Sequence, residues 1–234
     1  MEKIRFWEID FFRGIAIMMM IIYHFIFDLN YFNFIKVDMY GGFLNIFQKI
    51  IAISFITLVG ISLSLAYNIK SKKDLLIKGL IIFAFGLLIT LVTFIFVRES
   101  TIYFGILHFI GLSIIISIIF LRFFKINLIT GIILIILGNI INKFTLDSSW
   151  LLLFGIKYKG FNTLDYFPLF PWFGLILIGI FVGKFLYKDN SRNFKLFIKP
   201  KKLSFIQFLG RKSLIIYLIH QPILIGLLYL YKIL

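Results

Sequence analysis

The sequence predicts an all-α fold, a polytopic integral membrane bundle of about seven transmembrane helices, and three observations predict it. Of the 234 residues 61% are hydrophobic, and the mean hydropathy is +1.03, well above the range of soluble globular chains. The apolar residues gather into seven runs near the roughly 20 residues that a ~30 Å hydrocarbon core requires. The Lys and Arg side chains lie mainly between the runs and weigh on alternate connections, as the positive-inside rule describes.

Taken in order, the first run covers 11–33, after Lys3 and Arg5, and ends in Asp28-Leu29-Asn30. A second covers 43–67, and the basic "NIKSKKD" at 68–74 separates it from the third, 75–97. The fourth, 101–123, ends in the basic "LRFFK", and the fifth covers 126–142. Between 142 and 166 lies the longest external connection, whose "WLLLFG" suits a short interfacial or re-entrant helix with Trp150 at headgroup level. The sixth run, 167–187, is followed by the most basic connection, 187–202, and an amphipathic "LSFIQFLGRKS" then leads into the seventh, 212–231. With the basic loops inside, the N-terminus is cytoplasmic and the C-terminus external, which only an odd number of spans permits. No repeat or linker divides the chain, so residues 1–234 read as one domain. Gly179 and Gly183 form a small-xxx-small pair suited to a close helix contact.

The formal charge of +15 follows from this topology and does not indicate a nucleic-acid partner. The sequence has no cysteine, which excludes disulfides and thiolate chemistry, and only three histidines. No two of these are spaced to share a metal on one helix, so no metal is expected.

Polar groups inside a bilayer are costly and therefore mark sites. Ten residues separate Arg13 from His24, which places the imidazole about 16 Å further along the helix, near mid-bilayer. Asp28 follows His24 at i+4, where a carboxylate can orient an imidazole. His108 lies some seven residues into the fourth run and His220 eight residues past Lys212, so all three histidines reach a common middle zone. Pro222 frees the carbonyl of Leu218 beside His220. The cations Arg13, Lys72, Lys73, Arg211 and Lys212 are placed to hold the phosphates of an anionic donor, although topology alone accounts for the loop lysines. In "LDYFPLFPWFG", Asp165 and Trp172 suit a carboxylate and an aromatic platform for a sugar; an interfacial aromatic belt would look the same.

Four stretches, "IDFFRGIAIMMMIIYHFIFDLNYF", "IYFGILHFIGLS", "LDYFPLFPWFG" and "LGRKSLIIYLIHQPIL", resemble in this order the heparan-alpha-glucosaminide N-acetyltransferase catalytic-domain family, chiefly its short bacterial and archaeal members. The Arg13–His24 spacing also resembles the motif of the type-3 membrane acyltransferases. The resemblance implies an enzyme of a prokaryotic cell membrane that passes an acyl group, commonly acetyl, from cytoplasmic acyl-CoA to an acceptor, often a sugar, on the far side. By that motif His24 is catalytic and Arg13 lies near the CoA. Eukaryotic lysosomal relatives carry Asn in place of His24, with the catalytic histidine further on, whereas no histidine occurs here between His24 and His108. Those relatives also have more spans, which leaves room for a second copy of this chain to complete the cavity as a homo-oligomer.

The expected mechanism has neutral His24 take a proton from an amine or hydroxyl acceptor attacking the thioester, or carry the acyl group itself. Asp28 orients it, and His220, Gln221 or His108 donates to the oxyanion. A proton-coupled transporter of a lipid or small solute, with the histidines as a midplane relay, is the alternative.

Overall fold

Each of the seven apolar runs contains a helix in the computed structural model, which describes residues 5–39, 41–67, 69–146, 148–188, 191–195 and 204–233. In chain order these are α1 (Trp7–Tyr31), α2 (Gly42–Tyr67), α3 (Lys72–Phe96), α4 (Ile106–Phe120), α5 (Lys125–Ile141), α6 (Leu169–Leu186) and α8 (Ser213–Ile233), with the short amphipathic α7 (Ser204–Arg211) before the last. Helices α1, α2, α3, α6 and α8 are long and apolar enough to cross a membrane. α4 and α5 are apolar but shorter, 15 and 17 residues, or roughly 22–26 Å of helix against a core of ~30 Å. Between α6 and α7, β1 (Tyr187–Lys188) pairs antiparallel with β2 (Ser191–Arg192). Much of the basic connection at 187–202, like Lys3 and Asn68, lies outside the described residues.

Helix ends follow local chemistry. α1 begins four residues before the first apolar run because Glu8 and Asp10 occupy its first turn, where the exposed N–H groups favour acidic side chains. α3 starts after a capping box: Ser71 Oγ accepts from Asp74 N at 3.1 Å, and Ser71 N donates to Asp74 Oδ2 at 3.1 Å. α4 begins at Ile106, five residues later than its run, because Phe104 bridges Tyr166 in extended conformation. The "WLLLFG" stretch forms a 3-10 helix, Ser149–Phe154, that leaves Trp150 70% exposed.

The described residues divide into two compact units. One, within 1–58 and 195–234, contains α1, the first part of α2, α7 and α8. Its core is Ile17, Met20, Tyr23, Met39 and Ile51. α7 lies across the N-terminal turns of α1, where a Cβ at Gly14 would strike the Ile206 carbonyl and one at Gly210 the Asp10 carbonyl. Gly210 lies inside α7 as a backbone-to-backbone contact, and the chain turns at Lys212. α8 then packs along α1 in parallel order, with His24 beside His220, Asp28 beside Gln221, and Phe34, just past α1, beside Tyr231.

The second unit, 59–194, packs α3 on α4, α5 on α6 and the end of α2 on α6. The Gly179/Gly183 pair makes the last of these contacts, Gly179 against Gly60 and Gly183 against Ser64 and Ile61, as small residues allow between apolar helices.

Candidate functional site

Seven of the ten sequence-predicted site residues fall in the first unit. Arg13 does not present a bare guanidinium: its Nη1 bonds Asp10 Oδ1 at 3.0 Å and lies 3.5 Å from the Gly210 carbonyl oxygen. Asp10, 4% exposed, also holds Arg5 through Nε at 2.6 Å. The sequence reading passed over Asp10, although its i,i+3 spacing to Arg13 was the available signal. Arg211 and Lys212 are exposed at the α7–α8 turn.

Further along α1, His24 Nδ1 lies 2.9 Å from the Met20 carbonyl oxygen, and His220 Nδ1 lies 2.6 Å from that of Tyr217. A carbonyl only accepts, so both neutral rings carry their proton on Nδ1 and keep a lone pair on Nε2. The rings meet edge to face, with centroids 4.8 Å apart, and His220 Nε2 is buried without a hydrogen-bond partner. α1 and α8 thus bring two imidazole rings together from distant parts of the sequence.

Asp28 does not orient His24. It is 2% exposed, and its Oδ1 accepts from Gln221 Nε2 at 2.6 Å. Asp28 Oδ2 and Gln221 Oε1 are buried with no partner. The i+4 spacing is as expected, but α8 inserts Gln221 on that face and takes the carboxylate. His220 in this tautomer has no free N–H for an oxyanion, whereas Gln221 keeps a second amide N–H.

The other three candidates belong to the second unit. His108 sits in the first turn of α4, not seven residues inside it, because the helix starts late. Its Nδ1 accepts from Gly105 N at 3.3 Å. Thr90 Oγ1 donates to Ile102 O at 2.6 Å and accepts from His108 Nε2 at 3.2 Å. Both ring nitrogens are thus used inside the fold, at the cap of α4. Asp165 completes the cap: Oδ2 accepts from Ile106 N at 2.9 Å. Burial pushes its carboxyl up to about 6, against the hold of the Ile106 and Tyr166 amides. The carboxylate thus faces the α4 terminus and not an aromatic platform.

Trp172 stacks near Phe167, centroids 4.9 Å apart, and lines a shallow pocket of about 130 Å³ with Asn142, Lys157, Tyr166 and Pro168. The Tyr166 hydroxyl, pushed up to about 12 by burial, donates to Leu152 O at 2.7 Å. At the other end of this unit a cleft of about 240 Å³ is lined by Tyr67, Lys72, Ile118, Ile119 and Arg122. Among the described residues no three His, Asp or Glu side chains converge as a metal site.

Apolar helices long enough to span a bilayer define an integral membrane protein, with buried ionisable side chains among its helices. Residues 5–222 match the family described as heparan-alpha-glucosaminide N-acetyltransferase, catalytic, and the chain belongs to that family of membrane acetyltransferases. No curated protein and no solved structure matches it.

Proposed function

We propose that the chain transfers an acetyl or other acyl group from cytoplasmic acyl-CoA to a sugar amine or hydroxyl across a prokaryotic cell membrane, with His24 as general base. The observation that carries this reading is the tautomer of His24: the Met20 carbonyl holds Nδ1–H and leaves Nε2 as the proton acceptor. The acceptor nitrogen or oxygen attacks the thioester carbonyl carbon. The new C–N or C–O bond forms as C–S breaks, and the proton passes to His24 Nε2 and then to the departing thiolate sulfur. His220 Nε2, beside it, shares that proton. The second N–H of Gln221 donates to the developing oxyanion.

Arg211 and Lys212, exposed where α7 turns into α8, bind the donor phosphates, and the Asp10–Arg13 pair fixes that turn against α1. The N-terminus is cytoplasmic and all seven apolar helices cross. The parallel order of α1 and α8 supports an odd number of spans, because two parallel crossings leave an odd number between them. Trp172, with Tyr166 and Asn142, offers the acceptor sugar a stacking face and hydrogen-bonding groups.

The test is transfer by the purified protein in lipid nanodiscs, from radiolabelled acetyl-CoA to a panel of amino sugars and glycans. Label appears in acceptor product, and acetyl-CoA raises the melting temperature. Neither product nor any stabilisation by acetyl-CoA would sink the proposal, and proton-dependent uptake of a solute would put a transporter in its place.

A further inference from the structure

We propose that Asp28 is a protonated carboxyl that forms a reciprocal two-bond clasp with the Gln221 amide, tying α8 to α1 and holding His220 against His24. One half of the clasp is present as Gln221 Nε2 donating to Asp28 Oδ1 at 2.6 Å. The other half is implied by two buried oxygens that lack partners, Asp28 Oδ2 and Gln221 Oε1. Each is bonded to the same carbon as an atom of the first bond, so rotation of either planar group about that bond can bring the two oxygens to hydrogen-bond distance.

Two buried acceptors without partners are unfavourable if the carboxyl is ionised, since neither has a proton to offer. A single proton on Asp28 Oδ2 resolves both at once: Oδ2–H donates to Gln221 Oε1 while the amide N–H donates to Oδ1. No ion pair to Asp28 occurs among the described residues, and a bare carboxylate within a membrane-spanning helix is costly. The neutral acid needs no counter-ion. The clasp links residues 193 apart in sequence, and Asp28 and His24 share one face of α1 as Gln221 and His220 adjoin on α8. Asp28 is therefore a positioning residue whose effect reaches the substrate through the imidazole pair.

Neutral aspartic acid and asparagine are nearly isosteric, which makes the test sharp. Asp28→Asn can donate Nδ2–H to Gln221 Oε1 and accept at Oδ1, so both bonds survive; Asp28→Leu and Gln221→Leu lose them. Melting temperatures of full-length protein in nanodiscs at neutral pH are expected to agree for wild type and Asp28→Asn and to fall by roughly 5 °C in the two leucine variants. Infrared difference spectra of wild type against Asp28→Asn should show the C=O stretch of a protonated carboxyl that shifts in D2O. Where transfer is measured, Asp28→Asn retains what Asp28→Leu loses. A drop in Asp28→Asn as large as in Asp28→Leu, or a carboxylate band in place of the acid band, overturns the clasp. The role of the clasp in holding the imidazoles rests on the acyl-transfer reading, but melting and infrared measurements need no acyl donor, so the clasp and that reading fail separately.

Discussion

Replacing His24 by asparagine separates chemistry from folding. The asparagine Nδ2–H occupies nearly the place of the imidazole Nδ1–H, so the bond to the Met20 carbonyl at 2.9 Å can persist. What disappears is the rest of the ring, with its Nε2 lone pair and its edge-to-face contact with His220. A positioned general base contributes about 10²–10⁴-fold, so the variant should lose that factor in transfer rate, roughly 2.7–5.5 kcal/mol of barrier. Its melting temperature should fall less than that of His24→Ala, because the bond to Met20 persists. His24→Ala loses the same ring and base and, in addition, the hydrogen bond to Met20, about 0.5–1.5 kcal/mol. It should therefore show a similar rate loss with a melting temperature lower by roughly 2–5 °C. Initial rates with radiolabelled acetyl-CoA, normalised to folded protein, and a thermal melt of the same samples provide the two readouts. Transfer by His24→Asn within threefold of wild type would show that Nε2 is not the base and would refute the tautomer argument.

Other consequences are equally measurable. Gly210→Ala drives a methyl into the Asp10 carbonyl, which as backbone cannot move aside; it should cost about 1–3 kcal/mol, read as a lower melting temperature. His108→Ala strands the Gly105 N–H and removes the Thr90 partner, so about 1–3 kcal/mol of stability should go, seen in the same melt. For Asp165, a folded-state value of about 6 against 3.8 unfolded means that the native state holds the proton more tightly. That contribution is complete below pH 3.8 and is lost as pH rises through 6, roughly 3 kcal/mol in all. Stability measured between pH 4 and 6 should fall with rising pH, and Asp165→Asn should flatten that slope.

Much of this fold could be read from hydropathy, because a lipid solvent imposes one constraint on every span. The seven apolar runs each became helical, and the Gly179/Gly183 spacing correctly marked a close contact. The start of α4 was not legible: Thr101–Gly105 is apolar enough to extend the run, but pairing of Phe104 with Tyr166, 62 residues away, keeps it out of the helix. That error moved His108 from a supposed midplane site to a cap. Within the site, the Arg13–His24–Asp28 series could be placed along one helix from spacing alone. Which groups meet it could not, since the choice of Gln221 as the Asp28 partner depends on how far α8 slides along α1. A periodicity of 3.6 fixes a face and not an axial offset. Asp10 was missed for a related reason: an acidic residue at the start of an apolar run reads as a boundary, whereas here it is buried beneath two arginines.

The parallel pairing of α1 with α8 also sets an order of assembly. Asp28 leaves the ribosome well before Gln221, which lies 193 positions later. At ordinary synthesis rates the interval is roughly 10–40 s. Throughout it the first helix holds an arginine, a histidine and a carboxyl in the bilayer, before α8 has been made. Until α8 has been made, these groups must be sheltered by the insertion machinery or by provisional contacts with neighbouring helices. A nascent chain stalled before Ser213 would display all three to the proteases that survey the membrane.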